Sequence, residues 1–366
     1  MTPMAIRALT EADIPAVTDL YWTYLRRRQG AAPSRLQSVF RELCFESPFR
    51  DDAIRAQVFE AEDGRVRGFI GAIVRKMSVC GRPIRLTLGG NLVVHPDFRA
   101  GRIAQQLVEA VFAQEADLAI VDSANEIARR ILSQNGFRVV PTLNMHWRRV
   151  LRPAHYGIYG LSLSSGRLIS TGLKLTSKPA CWLADTVASR VSRKAFRLKK
   201  SFLHGSELNA ETLLQCLVEF RKGYSVWTEY DLSSLQWLLG FMARRTARGA
   251  LRKVLLHDDD GKIAGWYIYY AKPGAVGEVV QVGGDPKLTK DILDHLFYDA
   301  WQQGVAGVHG LLEMRRMADF SDKHSFFTCR GGWTMARSSH PDLLELLDAD
   351  TLFTRLDGEW CLDIGD

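Results

Sequence analysis

The sequence predicts an α/β (α+β) fold built twice in tandem, each time as a mixed, mostly antiparallel sheet flanked by helices. Three observations carry this reading. The chain has 366 residues, more than one hydrophobic core comfortably organises. Residues 56–122 run strand, turn, strand, turn, strand, helix, strand, and residues 251–313 repeat that order. The pairs Asp63-Gly64 and Asp260-Gly261 fall at matching places in the two runs, as expected of a duplication.

Residues 4–8 read as a short edge strand. Thr10, with Asp13 three residues on, caps a helix whose apolar positions are Ile14, Val17, Leu20, Tyr21 and Tyr24. Arg26, Arg27 and Arg28 suit its C-terminal end, and a second helix is expected at 34–42. Strands are expected at 56–61, 66–79 and 84–94, with Asp63-Gly64 and Cys80-Gly81 as hairpin turns. Gly89 and Gly90 inside the third strand point to a bulge or a close backbone approach. Helix 103–115, strand 118–122, helix 125–135 and strands 137–141 and 144–150 complete a first domain, 1–150.

Residues 151–209 read as a basic helical linker. Ten Lys/Arg stand there against Asp185 and Glu207, a local +8 within a whole-chain +7, so the remainder is close to neutral. The cluster at 190–200 is a solvated face or a surface that meets an anionic partner. The second domain, 210–366, has helices at 211–221 and 232–248, then strands 251–257, 263–271 and 277–283. Helix 287–303 and strand 305–313 follow. The aromatic-rich set Trp227, Tyr230, Trp237, Trp266, Tyr267, Tyr269 and Tyr270 is expected to be mostly core.

Composition narrows the classes. A chain 46% hydrophobic and 24% charged is a folded, globular one. Its six cysteines are scattered without a Cys-x-x-Cys pair, so neither a metal site nor a disulfide framework is expected. That usage, the absence of an apolar signal core after Met1, and the lack of an 18-residue apolar run point to a cytoplasmic protein. Positive charge confined to one segment argues against a whole-surface nucleic-acid binder, and no DNA partner is expected.

The chemistry concentrates at 94–104. There a strand breaks into a small-residue turn and enters a helix, so several N–H groups without intrahelical partners converge at the positive end of a helix dipole. Arg99, Ala100, Gly101, Arg102, Ile103 and Ala104 would hold a pyrophosphate, the arginines adding charge-assisted hydrogen bonds. The corresponding run of the second copy, Val282-Gly283-Gly284-Asp285-Pro286-Lys287, has no arginine and sets a carboxylate against a would-be anion. That copy is expected to serve as scaffold or as a wall of the acceptor site.

This run resembles the acyl-CoA motif of the GCN5-related N-acetyltransferases (GNAT), Val-x-Pro-x-x-Arg-Gly-x-Gly-x-Gly/Ala. It matches at Val94, Pro96, Arg99, Ile103 and Ala104 and departs at Ala100 and Arg102, where the motif has glycine. A second family element follows at the expected distance in Asn125, Ala128, Gly136 and Phe137. The resemblance covers about residues 4–150. It implies an acyl-CoA-dependent N-acyltransferase that moves an acyl group, most simply acetyl, from acetyl-CoA or another acyl-CoA to a primary amine of a small molecule or peptide. It also implies that the fourth and fifth strands splay apart to receive the pantetheine arm at Leu92, Val93 and Val94. A backbone N–H near Val93 or Val94 would stabilise the oxyanion, and Asn125 would hydrogen-bond the pantetheine amide. The loop between the first two helices would line the acceptor pocket.

The family's usual proton donor is a tyrosine at the position held here by Leu132. Candidate bases are Asp122 at a strand end, Glu126 in a first helical turn and His146 on the last strand. Asp122 could instead cap a helix, and Glu126 could simply complement the helix dipole. Two other readings stay open beside a weaker third, an RNA- or aminoacyl-tRNA-dependent transferase for which the 190–200 basic cluster would be the electrostatic footprint. One is a long-chain fatty-acyl donor, suggested by the apolar content of 160–190 and 224–270. The other is a non-catalytic CoA-binding adaptor or sensor, suggested by Leu132 and Arg102.

Overall fold

The structure is a computed structural model that describes residues 4–164, 198–329 and 332–362. Strand β1 (Ala5–Ala8) leads to α1 (Ile14–Leu20), which widens into a π-type turn at Tyr21–Leu25 before α2 (Ser34–Arg41). Thr10 and Asp13 close the helix start as the sequence suggests: the Thr10 N–H and hydroxyl both donate to the Asp13 carboxylate. β2 (Gln57–Glu60), β3 (Val66–Val79) and β4 (Arg82–Val94) then form an antiparallel meander. The turn from β3 to β4 has positive φ at both Cys80 (49°) and Gly81 (81°), the backbone that a tight hairpin needs to match strand twist. Helix α3 (Ile103–Phe112) crosses over to β5 (Leu118–Ala124), parallel to β4, and α4 (Glu126–Gln134), β6 (Arg138–Val139) and β7 (His146–Val150) follow. The α3 helix stops one turn short of the expected 115.

After α5 (Pro153–Ser164) the second run contains β8 (His204–Glu207), α6 (Ala210–Phe220), β9 (Val226–Thr228) and α7 (Leu232–Ala243). It continues through β10 (Ala250–His257), β11 (Ile263–Ala271), β12 (Val276–Gly284), α8 (Thr289–Gln302), β13 (Gly307–Leu311) and α9 (Met317–Asp322). It ends in β14 (Phe326–Thr328), β15 (Trp333–Ser338), α10 (Pro341–Ala349) and β16 (Thr351–Leu352). Of the 190–200 basic cluster only the exposed Lys199 and Lys200 lie within the described residues; the rest of that expectation lies outside them. Among the described residues no helix is long and apolar enough to cross a membrane.

The strands make two sheets with the same plan. One runs β1-β2-β3-β4-β5-β15-β6, with β9 and β16 added beside the outer end of β3; the other runs β8-β10-β11-β12-β13-β7-β14. Position by position the pairings match in direction, including the single parallel step in each main row, β4 to β5 and β12 to β13. The duplication read from the sequence is therefore present in the sheets. One expectation is corrected. Residues 144–150 were to complete the first sheet, yet β7 pairs with β13 and β14 in the second, while β15 pairs with β5 and β6 in the first. The first half thus lends β7 to the second sheet, the second half lends β15 together with β9 and β16 to the first, and the sheets do not follow the division at 150 and 210. The reason is packing as much as pairing. Every residue of β7 faces one on β13, and Trp147 on β7 is buried against Phe297 and Phe320 of the second half.

The two halves also share a core. Ile14, Val17, Tyr21 and Phe40 from α1, α2 and the π-type turn pack in one cluster with Leu213, Leu238 and Phe241 from α6 and α7, and with Trp266 and Tyr270 from β11. Burial of this apolar surface is the main force joining the halves. Trp266, Tyr267, Tyr269 and Tyr270 are all buried, as their place in the sequence suggested.

Candidate functional site

Parallel pairing of β4 with β5 covers only Leu86–Leu118, Thr87–Ala119 and Leu88–Ile120. Beyond Leu88 and Ile120 the two strands continue to Val94 and Ala124 without pairing, and a gap opens between them. The cause is a bulge in β4: Ile70 of β3 faces both Asn91 and Leu92, and Asn91 adopts φ 56°, which bends the strand. The bulge lies one residue past the expected Gly89-Gly90, and those glycines have a different task. A Cβ on Gly89 would lie 2.3 Å from the Phe112 ring, and one on Gly90 would lie 1.6 Å from Oε1 of Glu359. The gap holds a cavity of about 320 Å³ whose wall includes Leu92, Val108, Ser123, Asn125, Leu132 and Glu359.

The turn leading into α3 is a cradle of free donors. Its hydrogen bonds run from the Phe98 N–H to the His95 carbonyl, from the Arg99 N–H to Pro96, and then from the Gln106 N–H to Arg102. Between them, the N–H groups of 100–105 meet no backbone acceptor among the described residues, as at any uncapped helix start. Arg99 Nε donates to the Val94 carbonyl (3.0 Å), which folds this side chain over the strand end, and Arg102 Nε donates to Gln105 Oε1 (3.1 Å). Leu92 lines the cavity, whereas Val93 and Val94 are buried in the core. The His95 N–H donates to Arg67 of β3, so alternation along the strand turns the Leu92 and Val94 N–H groups toward the gap. Asn125 Oδ1 accepts from the Ala128 N–H (2.9 Å) and caps α4; its amide nitrogen remains to donate to a ligand.

The second copy shows what a closed version looks like. β12 and β13 also part after Glu278 and His309. There Gln281 Nε2 donates to Thr354 Oγ1, and Phe353, Phe320 and Arg316 fill the space down to about 20 Å³. The turn itself is occupied: the Asp285 carboxylate accepts from the Lys287 N–H, and Arg316 donates to Gly284 O and Thr289 Oγ1.

The three candidate bases separate. Glu126 lies on the exposed side of α4 and lines neither cavity; the hydrogen bond from Arg129 (2.7 Å) lowers the pKa of its carboxyl to about 2. Asp122 and His146 meet in a second cavity of about 240 Å³ on the other face of β5. Asp122 does not cap α4, since Asn125 does; its Oδ2 packs against Gly358, where a Cβ would come within 1.9 Å. His146 donates through Nδ1 to the Asn144 carbonyl (3.2 Å). Burial, together with the nearby Arg355 and Arg148 charges, lowers its pKa to about 4. Its ring is neutral at pH 7.

Two further residues border the donor cleft. Tyr21, buried in the π-type turn, lines it together with Glu359 and Leu132. Tyr21 and Arg26 also line a third, more apolar cavity of about 560 Å³ formed with Trp22, Leu36, Val39 and Phe241. Glu359 had no signal in the sequence, because it arrives from the far end of the chain on a short 3₁₀ turn, Glu359–Leu362. Tyr21 was legible only as a core position of α1. Among the described residues no group of three His, Cys, Asp or Glu side chains could hold a metal ion.

No protein-family model matches the chain, and no curated protein matches it in sequence. Solved structures do match. The GCN5-related N-acetyltransferase of Anabaena variabilis superposes with a TM-score of 0.58 at 9% identity, covering 92% of this chain and 73% of that one. The GCN5-related N-acetyltransferase of Kribbella flavida gives 0.57 at 13% identity, covering 94% and 71%. Saccharomyces cerevisiae N-myristoyltransferase with bound myristoyl-CoA gives 0.54 at 10% identity, covering 93% and 86%. At such identities the likeness is one of fold, and the fold is GNAT-like over nearly the whole chain.

Proposed function

We propose, for a chain with this fold, that it is an acyl-CoA-dependent N-acyltransferase whose donor lies in the β4–β5 gap. The observation that carries the reading is the loss of pairing after Leu88 and Ile120 directly beside a turn of unused N–H groups. A pantetheine arm carries two amides and can add to a splayed strand as a further strand does, while the turn and α3 start bind the pyrophosphate. In this reading Ala100, Gly101, Arg102, Ile103 and Ala104 supply the cradle, Arg99 its positive edge, and Leu92, Val94 and Asn125 the contacts to the arm.

The reaction breaks the acyl C–S bond and forms an amide C–N bond. The tetrahedral oxyanion takes a hydrogen bond from the Leu92 or Val94 N–H. An amine arriving on the cavity face of β5 gives its proton to Asp122. Tyr21, which borders the cleft, protonates the departing thiolate in place of the tyrosine missing at Leu132. Glu359 lies on the cleft side and holds the amine close to the thioester by its charge. The 560 Å³ cavity sharing Tyr21 and Arg26 with the cleft has an apolar side of Trp22, Leu36, Val39 and Phe241 beside Arg35, Glu42, Arg244 and Arg245, and offers room for an acyl chain longer than acetyl.

Isothermal titration with acetyl-CoA and palmitoyl-CoA tests donor binding, and thiol release with an amine panel tests transfer. The reading expects micromolar donor binding that Arg99→Glu weakens, and turnover that Asp122→Asn abolishes. Absence of binding by either donor ends it; binding without thiol release for any amine would replace it with a CoA sensor.

A further inference from the structure

The cavity on the far face of β5 is separated from the donor cleft by that strand: Asp122 lines the one, Val121 and Ser123 the other. Its floor is built by period-two alternation on the exchanged strand β7 and its neighbour β13. His146 and Arg148 on one strand face Leu311 and His309 on the other, while Trp147 and Val308 turn into the core. Arg355 closes the cavity from the C-terminal segment and is itself only 8% exposed. Its Nη2 donates to His309 Nδ1 (3.2 Å), which leaves the His309 Nε2–H as a donor. Arg148 is half-buried in the wall and has no hydrogen bond or ion pair among the described residues; its Nε is wholly buried. A guanidinium without a counter-ion in a partly desolvated site is costly. In the lining of the cavity Arg148 and Arg355 stand with one carboxylate, Asp122; Glu278, the cross-strand neighbour of His309, lies near Arg355 as well but is paired with Arg248.

We propose that this cavity binds the carboxylate of the acceptor, so that the acceptor is a small zwitterion of the amino-acid class rather than a simple alkylamine. This rests on the acyltransfer reading and names its substrate. Planar guanidinium groups match a carboxylate in two-point fashion, and the His309 N–H supplies a further donor. The ammonium of the same molecule is drawn to Asp122, on the strand that borders the gap. There it loses its proton, attacks the thioester carbon and expels the thiolate, which is protonated, giving an N-acyl amino acid and free CoA. The volume of about 240 Å³ equals roughly eight waters, room for a free amino acid and not for a folded peptide segment. Leu143, Leu311 and Phe353 complete the wall and favour an apolar side chain.

The experiment compares glycine, L-leucine and L-phenylalanine, each with its amide and its decarboxylated amine, as acceptors in a thiol-release assay with palmitoyl-CoA and acetyl-CoA. Donor binding is measured in parallel by titration calorimetry. The acids are expected to exceed their amides by at least tenfold in kcat/KM. Arg148→Gln is expected to raise KM for the acid at least tenfold, leave donor affinity unchanged and narrow the preference over the amide. Arg148→Lys should restore part of it. Equal use of acids and amides, a preference for the amides, or an Arg148→Gln variant with unaltered selectivity overturns the proposal while leaving the acyltransferase reading standing. Absence of donor binding in the calorimeter would instead remove the reading beneath it.

Discussion

The carboxylate of Glu359 stands where a side chain on Gly90 would have to go, 1.6 Å from the Cβ that any other residue would carry. The obstructing atom is the tip of a flexible side chain, so Gly90→Ala should fold normally and push Glu359 out of the cleft. Thiol release at saturating donor should fall about tenfold or more, and Glu359→Gln should lose a comparable amount. A Gly90→Ala enzyme with wild-type turnover would show that the carboxylate has no part in the reaction.

The neighbouring glycine should behave in the opposite way. A Cβ on Gly89 would meet the Phe112 ring at 2.3 Å, inside a core that cannot give. Gly89→Ala is expected to cost about 1–3 kcal/mol of stability through overpacking, read as a lower urea midpoint with an unchanged slope.

Arg99 gives a third measurement. Its Nε is spent on the Val94 carbonyl, which aligns the rest of the guanidinium with the cradle. Arg99→Ala should raise the acyl-CoA Kd about tenfold, the value of one charge-assisted hydrogen bond. The loss should shrink at high salt. Titration calorimetry at two ionic strengths would detect either failure.

The fourth concerns pH. His146 has its pKa lowered to about 4 by burial, against about 6.5 in an unfolded chain. Between those values the unfolded chain binds a proton that the folded one refuses, so stability is full above about pH 6.5 and falls as the pH drops toward 4. The loss from this residue is up to about 3 kcal/mol. His309 and His295 are lowered in the same direction and add to it. His146→Gln should flatten part of the slope of urea stability between pH 7 and 5; an unchanged slope would place the proton elsewhere.

What the sequence made legible is what neighbouring residues decide. Cys80-Gly81 fixes a hairpin by backbone sterics alone, and Thr10 with Asp13 fixes a helix start. The turn after Val94 announces unused N–H groups because a strand stops and a helix begins there. The order of elements was equally readable in both halves, since periodicity is local. What stayed hidden depends on distant partners. Strand β7 looks the same whether it pairs with β15's neighbours or with β13. Nothing near Glu359 or Arg355 reveals that the C-terminal segment folds back onto the cleft, and the arginines meeting Glu126 decide its protonation only once α4 has formed.

The strand exchange has a bearing on why a copy with an occluded turn has been kept at all. With β7 lent to one side and β15 to the other, cutting the chain between the halves would strip each sheet of an interior member and bare the raw edge of β5 or β13 to aggregation. The second half cannot be removed alone, because β15 sits between β5 and β6 in the first sheet. Melting should accordingly be one event, with fluorescence, far-ultraviolet dichroism and calorimetry tracing the same curve.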